Sequence, residues 1–97
     1  MPIGSFINAI PNPVFIAIHL TAFVIGAYFA WRSFSGEARM LGWAFSLFAI
    51  AEVSYMTYHL DATTFLFAHT ISEVLDLLAF IAVFVAATQR ALLTQRA

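Results

Sequence analysis

DATTFLFAHTISEVLDLLAFIAVFVAA, residues 61–87, sets a four-residue polar turn before an apolar run that still holds one histidine and two carboxylates. From Phe65 to Ala87 the run has the length, roughly 20 residues, that carries a helix across a bilayer core. A second apolar run, Met40 to Leu60, ends at the same turn. So short a link makes the two helices an antiparallel hairpin and therefore neighbours. Further out, a third run extends from Pro13 to Trp31, with Asn12 and Pro13 at its start and Tyr28 and Trp31 as interfacial aromatics near its end.

The fold class expected is all-α integral membrane: three transmembrane helices, 13–31, 40–60 and 65–87, in an antiparallel up-down-up bundle forming one membrane domain. Ile3, Phe6, Ile7 and Ile10 recur at helical spacing before Pro11, so segment 1–12 is expected to form a short interfacial helix. Residues 88–97, TQRALLTQRA, are expected to continue as an interfacial tail. In the link RSFSGEAR, residues 32–39, Ser35 is placed to cap the second helix with Glu37 in its first turn. Asp61, Thr63 and Thr64 are placed to cap the third.

Composition agrees with the membrane reading. Of 97 residues, 63% are hydrophobic and 9% charged, with mean hydropathy +0.93; an ordinary soluble domain is about 25% charged. The chain has no cysteine, which excludes disulfides, thiolate metal ligands and iron–sulfur chemistry. Four basic residues and a net charge of -1 supply no electrostatic footprint for nucleic acid. The opening segment lacks the positive n-region of a secretory signal.

Orientation follows from the arginines. Arg32 and Arg39 lie in the first link, and Arg90 and Arg96 follow the third span. Three crossings place all four on one side, which the positive-inside rule makes the cytoplasm. The N-terminus and the DATT turn then face outward, and the expected location is a bacterial inner (cytoplasmic) membrane.

Ionisable groups inside a membrane cost several kcal/mol unless they pair, face the bundle interior or line water, so each is a functional hypothesis. His69, Glu73 and Asp76 are spaced i, i+4, i+7 and share one stripe of the third helix, bordered by Ser72. On the second helix Glu52 and His59 are also seven apart, with Tyr55 and Met56 between them on the same face. His19 shares a face with Ala22, Gly26 and Ala30, a small-residue series that lets helix backbones approach. At about 1.5 Å per residue, His59 and His69 lie shallow, and His19, Glu52 and Glu73 lie about one and a half to two turns deep, with Asp76 a turn deeper. These residues are expected to form one polar cluster in the outer half of the bundle.

Three carboxylates in a low-dielectric bundle require a compensating positive charge. The first reading is a transition metal ion, zinc, iron, copper or manganese, ligated by His19, Glu52, His59, His69, Glu73 and Asp76, with Tyr55, Met56 and Ser72 around it. The second needs no metal: protonated histidines and neutral carboxyls serve helix pairing or a proton relay in an accessory subunit of a respiratory or photosynthetic complex. The third is haem or pigment held through histidine, for which buried acids are an expensive environment. No high-specificity motif decides among them, since neither His-Glu-x-x-His nor Glu-x-x-His occurs. A lone membrane histidine is more often an interhelical hydrogen-bond partner than a ligand. Asp61 reads as a cap, and Glu37 as a surface partner of Arg32 or Arg39. Three helices do not enclose a site, so the expected partners are the lipid bilayer and either further copies of the chain or a larger membrane complex.

Overall fold

Pro13 stands in the first turn of α1, where its missing N–H has no helical partner to lose. From there α1 runs Asn12–Ser35, four residues beyond the expected end at Trp31, because nothing in Arg32-Ser33-Phe34-Ser35 interrupts a helix before Gly36. The second helix, α2, spans Arg39–His59, and α3 spans Phe65–Arg96. These assignments come from a computed structural model that describes residues 3–96. All three helices are long and apolar enough to span a membrane, and no strand occurs among the described residues.

Both turns differ from the expected capping. Ser35 is the last residue of α1 rather than the cap of α2, and Ala38 fills the cap position without a side-chain hydrogen bond. Glu37 is not in the first turn of α2. It sits in the link at φ 70, where its N–H donates to Phe34 O while Ala38 N–H donates to Ser33 O. This is a Schellman closure of α1. Asp61 does the same for α2 at φ 62: its N–H donates to Tyr58 O, and Ala62 N–H donates to Thr57 O. Asp61 therefore closes the helix before it instead of opening the one after. Thr64 holds the N-terminal position of α3, its carbonyl accepting from Ala68 N–H, while the Thr63 hydroxyl bonds that of Thr57 at 3.0 Å. Glu37 forms no ion pair with Arg32 or Arg39 among the described residues.

At the ends of the chain, the expected interfacial helix is a short 3-10 helix, Ser5–Ala9, preceded by Gly4 at φ 89. The tail is no separate element, since α3 continues through it as one helix of 32 residues. At about 1.5 Å per residue α3 is about 48 Å long, well beyond a hydrocarbon core of about 30 Å. Residues 1, 2 and 97 of these two segments lie outside the described residues.

The helices meet through small side chains. Gly26 and Ala30 are the buried residues of α1, and Gly42, Ala44, Ala49 and Ala51 those of α2. On α3 the buried positions are Ala68, Ser72, Ala79 and Ala82. Gly42 and Ala49 form one seven-residue step on α2, and Ala44 and Ala51 form another about 200° away, so α2 has two opposite seams. Gly26 approaches Ala49 on the first seam, and Ser72 meets Ala51 on the second. Large apolar side chains such as Leu66, Phe80 and Phe84 point outward and are 59–70% exposed. This inversion of the soluble pattern, small inside and large outside, suits packing in lipid, where close backbone approach rather than water exclusion holds helices together.

Along α1 and α2 the partners run in opposite sense: Phe34 with Trp43, Phe29 with Phe45, His19 with Glu52, Phe15 with His59. Among the described residues no Cα of α1 comes within 8 Å of one in α3. The three helices are thus not three mutually packed walls. Instead α2 is a central helix flanked by the other two, in a molecule of 54 × 29 × 20 Å.

Candidate functional site

His19 projects from α1 four residues after Phe15, and His59 from α2 four residues after Tyr55; such pairs share a helix face. Where the two helices cross, the four rings interleave. Phe15 stacks on His59 at 4.8 Å between centroids and 4° between planes. His59 faces His19 at 5.5 Å and 25°, and His19 lies on Tyr55 at 5.0 Å and 13°. The column alternates between α1 and α2, and it holds the His19 ring from both faces.

Stacking leaves the ring edge of His19 free for hydrogen bonding. Its Nδ1 and Glu52 Oε2 share a hydrogen bond of 2.5 Å. The two side chains are 18% and 12% exposed, so both point into the seam and neither is offered to lipid. A charged or charge-assisted hydrogen bond of this kind is the arrangement that makes a carboxylate tolerable in low dielectric. Tyr55 extends the connection to α3, its hydroxyl donating to Glu73 Oε1 at 3.5 Å. Side chains of all three helices are therefore linked, His19 to Glu52 by hydrogen bond, His19 to Tyr55 by stacking, and Tyr55 to Glu73 by a long hydrogen bond.

Above this column lies an open cavity of about 530 Å³. Asn8 and Asn12 line it from the N-terminal side, and His19, Tyr55, Tyr58 and His59 from the helices. His59 lines it, while its Nδ1 is buried and has no hydrogen-bond partner. The chain's 3-10 helix thus borders the entrance to the histidines, with Ile7 among the lining residues.

The remaining expected residues fall elsewhere. His69 stacks on Phe65 of its own helix at 5.4 Å and reaches the column only through Phe65 and Tyr58, edge to face at 5.3 Å. Ser72 is fully buried, and its hydroxyl donates to Ala51 O at 3.0 Å, which spends its polar group on the α2–α3 seam. Met56 is half-buried and does not line this cavity. Asp76 borders a different, apolar groove, and its Oδ1 is buried without a partner. Among the described residues no three histidine, aspartate or glutamate side chains stand together as a set for one metal ion.

Phe15 and Tyr58 join the site in addition to the residues expected from the sequence. Their signal was present: Phe15 lies four residues before His19, and Tyr58 immediately precedes His59. In sequence, Tyr58 reads as an interfacial or packing aromatic and Phe15 as lipid-facing or core filler.

Comparison with protein-family models, with curated proteins and with solved structures finds no match for this chain.

Proposed function

We propose that the chain is a small integral membrane subunit whose His19–Glu52 pair, with Tyr55 and Glu73, handles a proton near the outer face of the bilayer. It crosses the membrane three times, up-down-up, with the N-terminus and the DATT turn outside and Arg32, Arg39, Arg90 and Arg96 in the cytoplasm. Its setting is a larger respiratory or photosynthetic assembly, for which three helices supply one wall of a site. One observation carries the reading: a histidine, hydrogen-bonded to a carboxylate across a seam and stacked on a tyrosine, borders a cavity that asparagine and tyrosine side chains help to line. Imidazole and carboxyl are the pair that exchanges protons near neutrality, and tyrosine relays to a third group. A through-membrane path is not part of the reading, because between the histidine and carboxylate level and the arginines the three helices carry no acidic or histidine side chain.

The test is infrared difference spectroscopy on purified protein in nanodiscs with ¹⁵N-histidine labelling, scanned through the carboxylate and histidine range. Expected is a protonated-carboxyl band that changes together with the His19 ring signal and vanishes in Glu52→Gln. A Glu52 that keeps one protonation state throughout overturns the reading and leaves helix pairing as its role.

A second reading, a bound transition ion, is favoured by the partnerless Nδ1 of His59 beside His19. Zinc, iron, copper or manganese on His59 and His19, with Glu52 orienting His19 and further ligands supplied by a partner subunit, would satisfy that nitrogen. Elemental analysis of natively purified protein decides it: stoichiometric metal that is lost in Glu52→Ala supports this reading, and metal-free protein excludes it. A visible spectrum of the same sample would expose haem or a pigment.

A further inference from the structure

Midway along the helices, away from the histidine column, α1 and α3 part over α2 and leave a groove of about 190 Å³. Four aromatic rings line it, Phe29 from α1, Phe45 and Phe48 from α2 and Phe80 from α3, and the one polar side chain among its lining residues is Asp76. The groove depends on Gly26, since a methyl group built there would lie 2.8 Å from Phe48 Cδ2. Its rim faces lipid: Phe29 and Phe80 are 46% and 59% exposed. A ligand for this site therefore arrives dissolved in the hydrocarbon.

The chemistry of that ligand follows from two mismatched demands. A cavity of about 150 Å³ with an apolar lining accepts a benzene ring, so this groove has room for a ring with small substituents. Buried Asp76 Oδ1, however, has no hydrogen-bond partner. A carboxyl oxygen left in that state costs a few kcal/mol, and in either protonation state the group retains an acceptor oxygen. An aromatic ring carrying a hydroxyl donor meets both demands. We propose that the groove binds the ring of a lipid-dissolved quinol, with one ring hydroxyl donating to Asp76 and the aliphatic tail left in the bilayer. The inference stands on the groove and Asp76, independently of the His19–Glu52 reading.

The probes are 4-fluorophenol, 4-fluorotoluene, which has the ring without the donor, and a decyl-tailed benzoquinol. Binding to protein in nanodiscs is followed by ¹⁹F NMR, with empty nanodiscs subtracted for partition into lipid. Expected is a preference of about tenfold for the phenol over the toluene, the equivalent of one hydrogen bond to a carboxyl group, and displacement of the phenol by the tailed quinol. In Asp76→Leu the phenol preference disappears while 4-fluorotoluene still binds; in Ala79→Phe, which fills the groove, neither binds. Equal binding of the two fluoro probes by the unaltered protein overturns the proposal without recourse to any variant. A phenol preference retained in Asp76→Leu, or a quinol that fails to compete, also overturns it.

Discussion

His19 and Glu52, 33 residues apart in sequence, meet at Nδ1 and Oε2 across the α1–α2 seam, on the stretch of α2 whose Tyr55 reaches Glu73 on α3. The bond ties the N-terminal half of α1 to the C-terminal half of α2 beside the interleaved rings of Phe15, His59, His19 and Tyr55.

Removing one partner should cost more than removing both. Polar pairs between membrane helices are worth about 0.6 kcal/mol on average and up to about 1.7. His19→Leu or Glu52→Leu alone should destabilise by about 1–2 kcal/mol, since each strands the other group. The double variant should recover part of that loss. A double-mutant cycle in bicelles, read by steric trapping, measures the coupling; strictly additive losses would show that the pair does not stabilise the seam.

Tyr55 separates stacking from hydrogen bonding. Its bond to Glu73 is long, so Tyr55→Phe should lower stability by no more than about 0.5 kcal/mol. Tyr55→Ala also removes the face on which His19 lies and should cost about 1–3 kcal/mol through lost ring contacts and packing. The same unfolding assay checks both, and a Phe variant as damaged as the Ala variant would place the weight on the hydroxyl instead.

Ser72→Ala should cost about 0.5–1 kcal/mol, leaving Ala51 O with only its helical partner. Ser72→Val should cost more, because a buried site touching backbone has no room for two methyl groups. The order Ser, Ala, Val in thermal midpoint is the expected result. A Val variant as stable as the Ala variant would mean that the α2–α3 seam gives way easily.

The two helix closures predict stabilising changes. Glu37 and Asp61 adopt left-handed backbone, which costs a side-chain-bearing residue about 1–2 kcal/mol and glycine almost nothing. Glycine's greater freedom in the unfolded chain offsets part of the gain. Glu37→Gly should therefore stabilise by about 0.5–1 kcal/mol, and Asp61→Gly by less, because aspartate tolerates this region better. Thermal unfolding in detergent gives the comparison; loss of stability in Glu37→Gly would mean that its carboxylate has a role outside the turn.

These turns also show where sequence reading stopped. Three spans were legible because a run of some 20 apolar residues admits little else in lipid. The small-residue face of Gly26 and Ala30 was legible by periodicity. Ser35 and Asp61 misled because capping residues are chosen by local chemistry, whereas here the preceding helix runs on and takes the turn for its own closure. His19, Glu52, Tyr55 and His59 were legible as two faces of two helices, and the structure brings those faces together. Asp76 and His69 share a stripe with Glu73, yet a stripe says nothing about what stands opposite. With α1 held away from α3, the lower part of that stripe faces phenylalanine rings, and His69 keeps to its own helix.

The arrangement of α2 between two helices that do not touch has an evolutionary and engineering corollary. Every position on its two seams answers to a different neighbour, so a substitution at Ala44 or Ala49 disturbs one junction and leaves the other standing. The flanking helices each answer to a single junction within the chain. Tolerance to random substitution should consequently be lowest along the middle third of the sequence and should rise toward both ends. Redesign of this molecule should begin on the outward faces of α1 and α3.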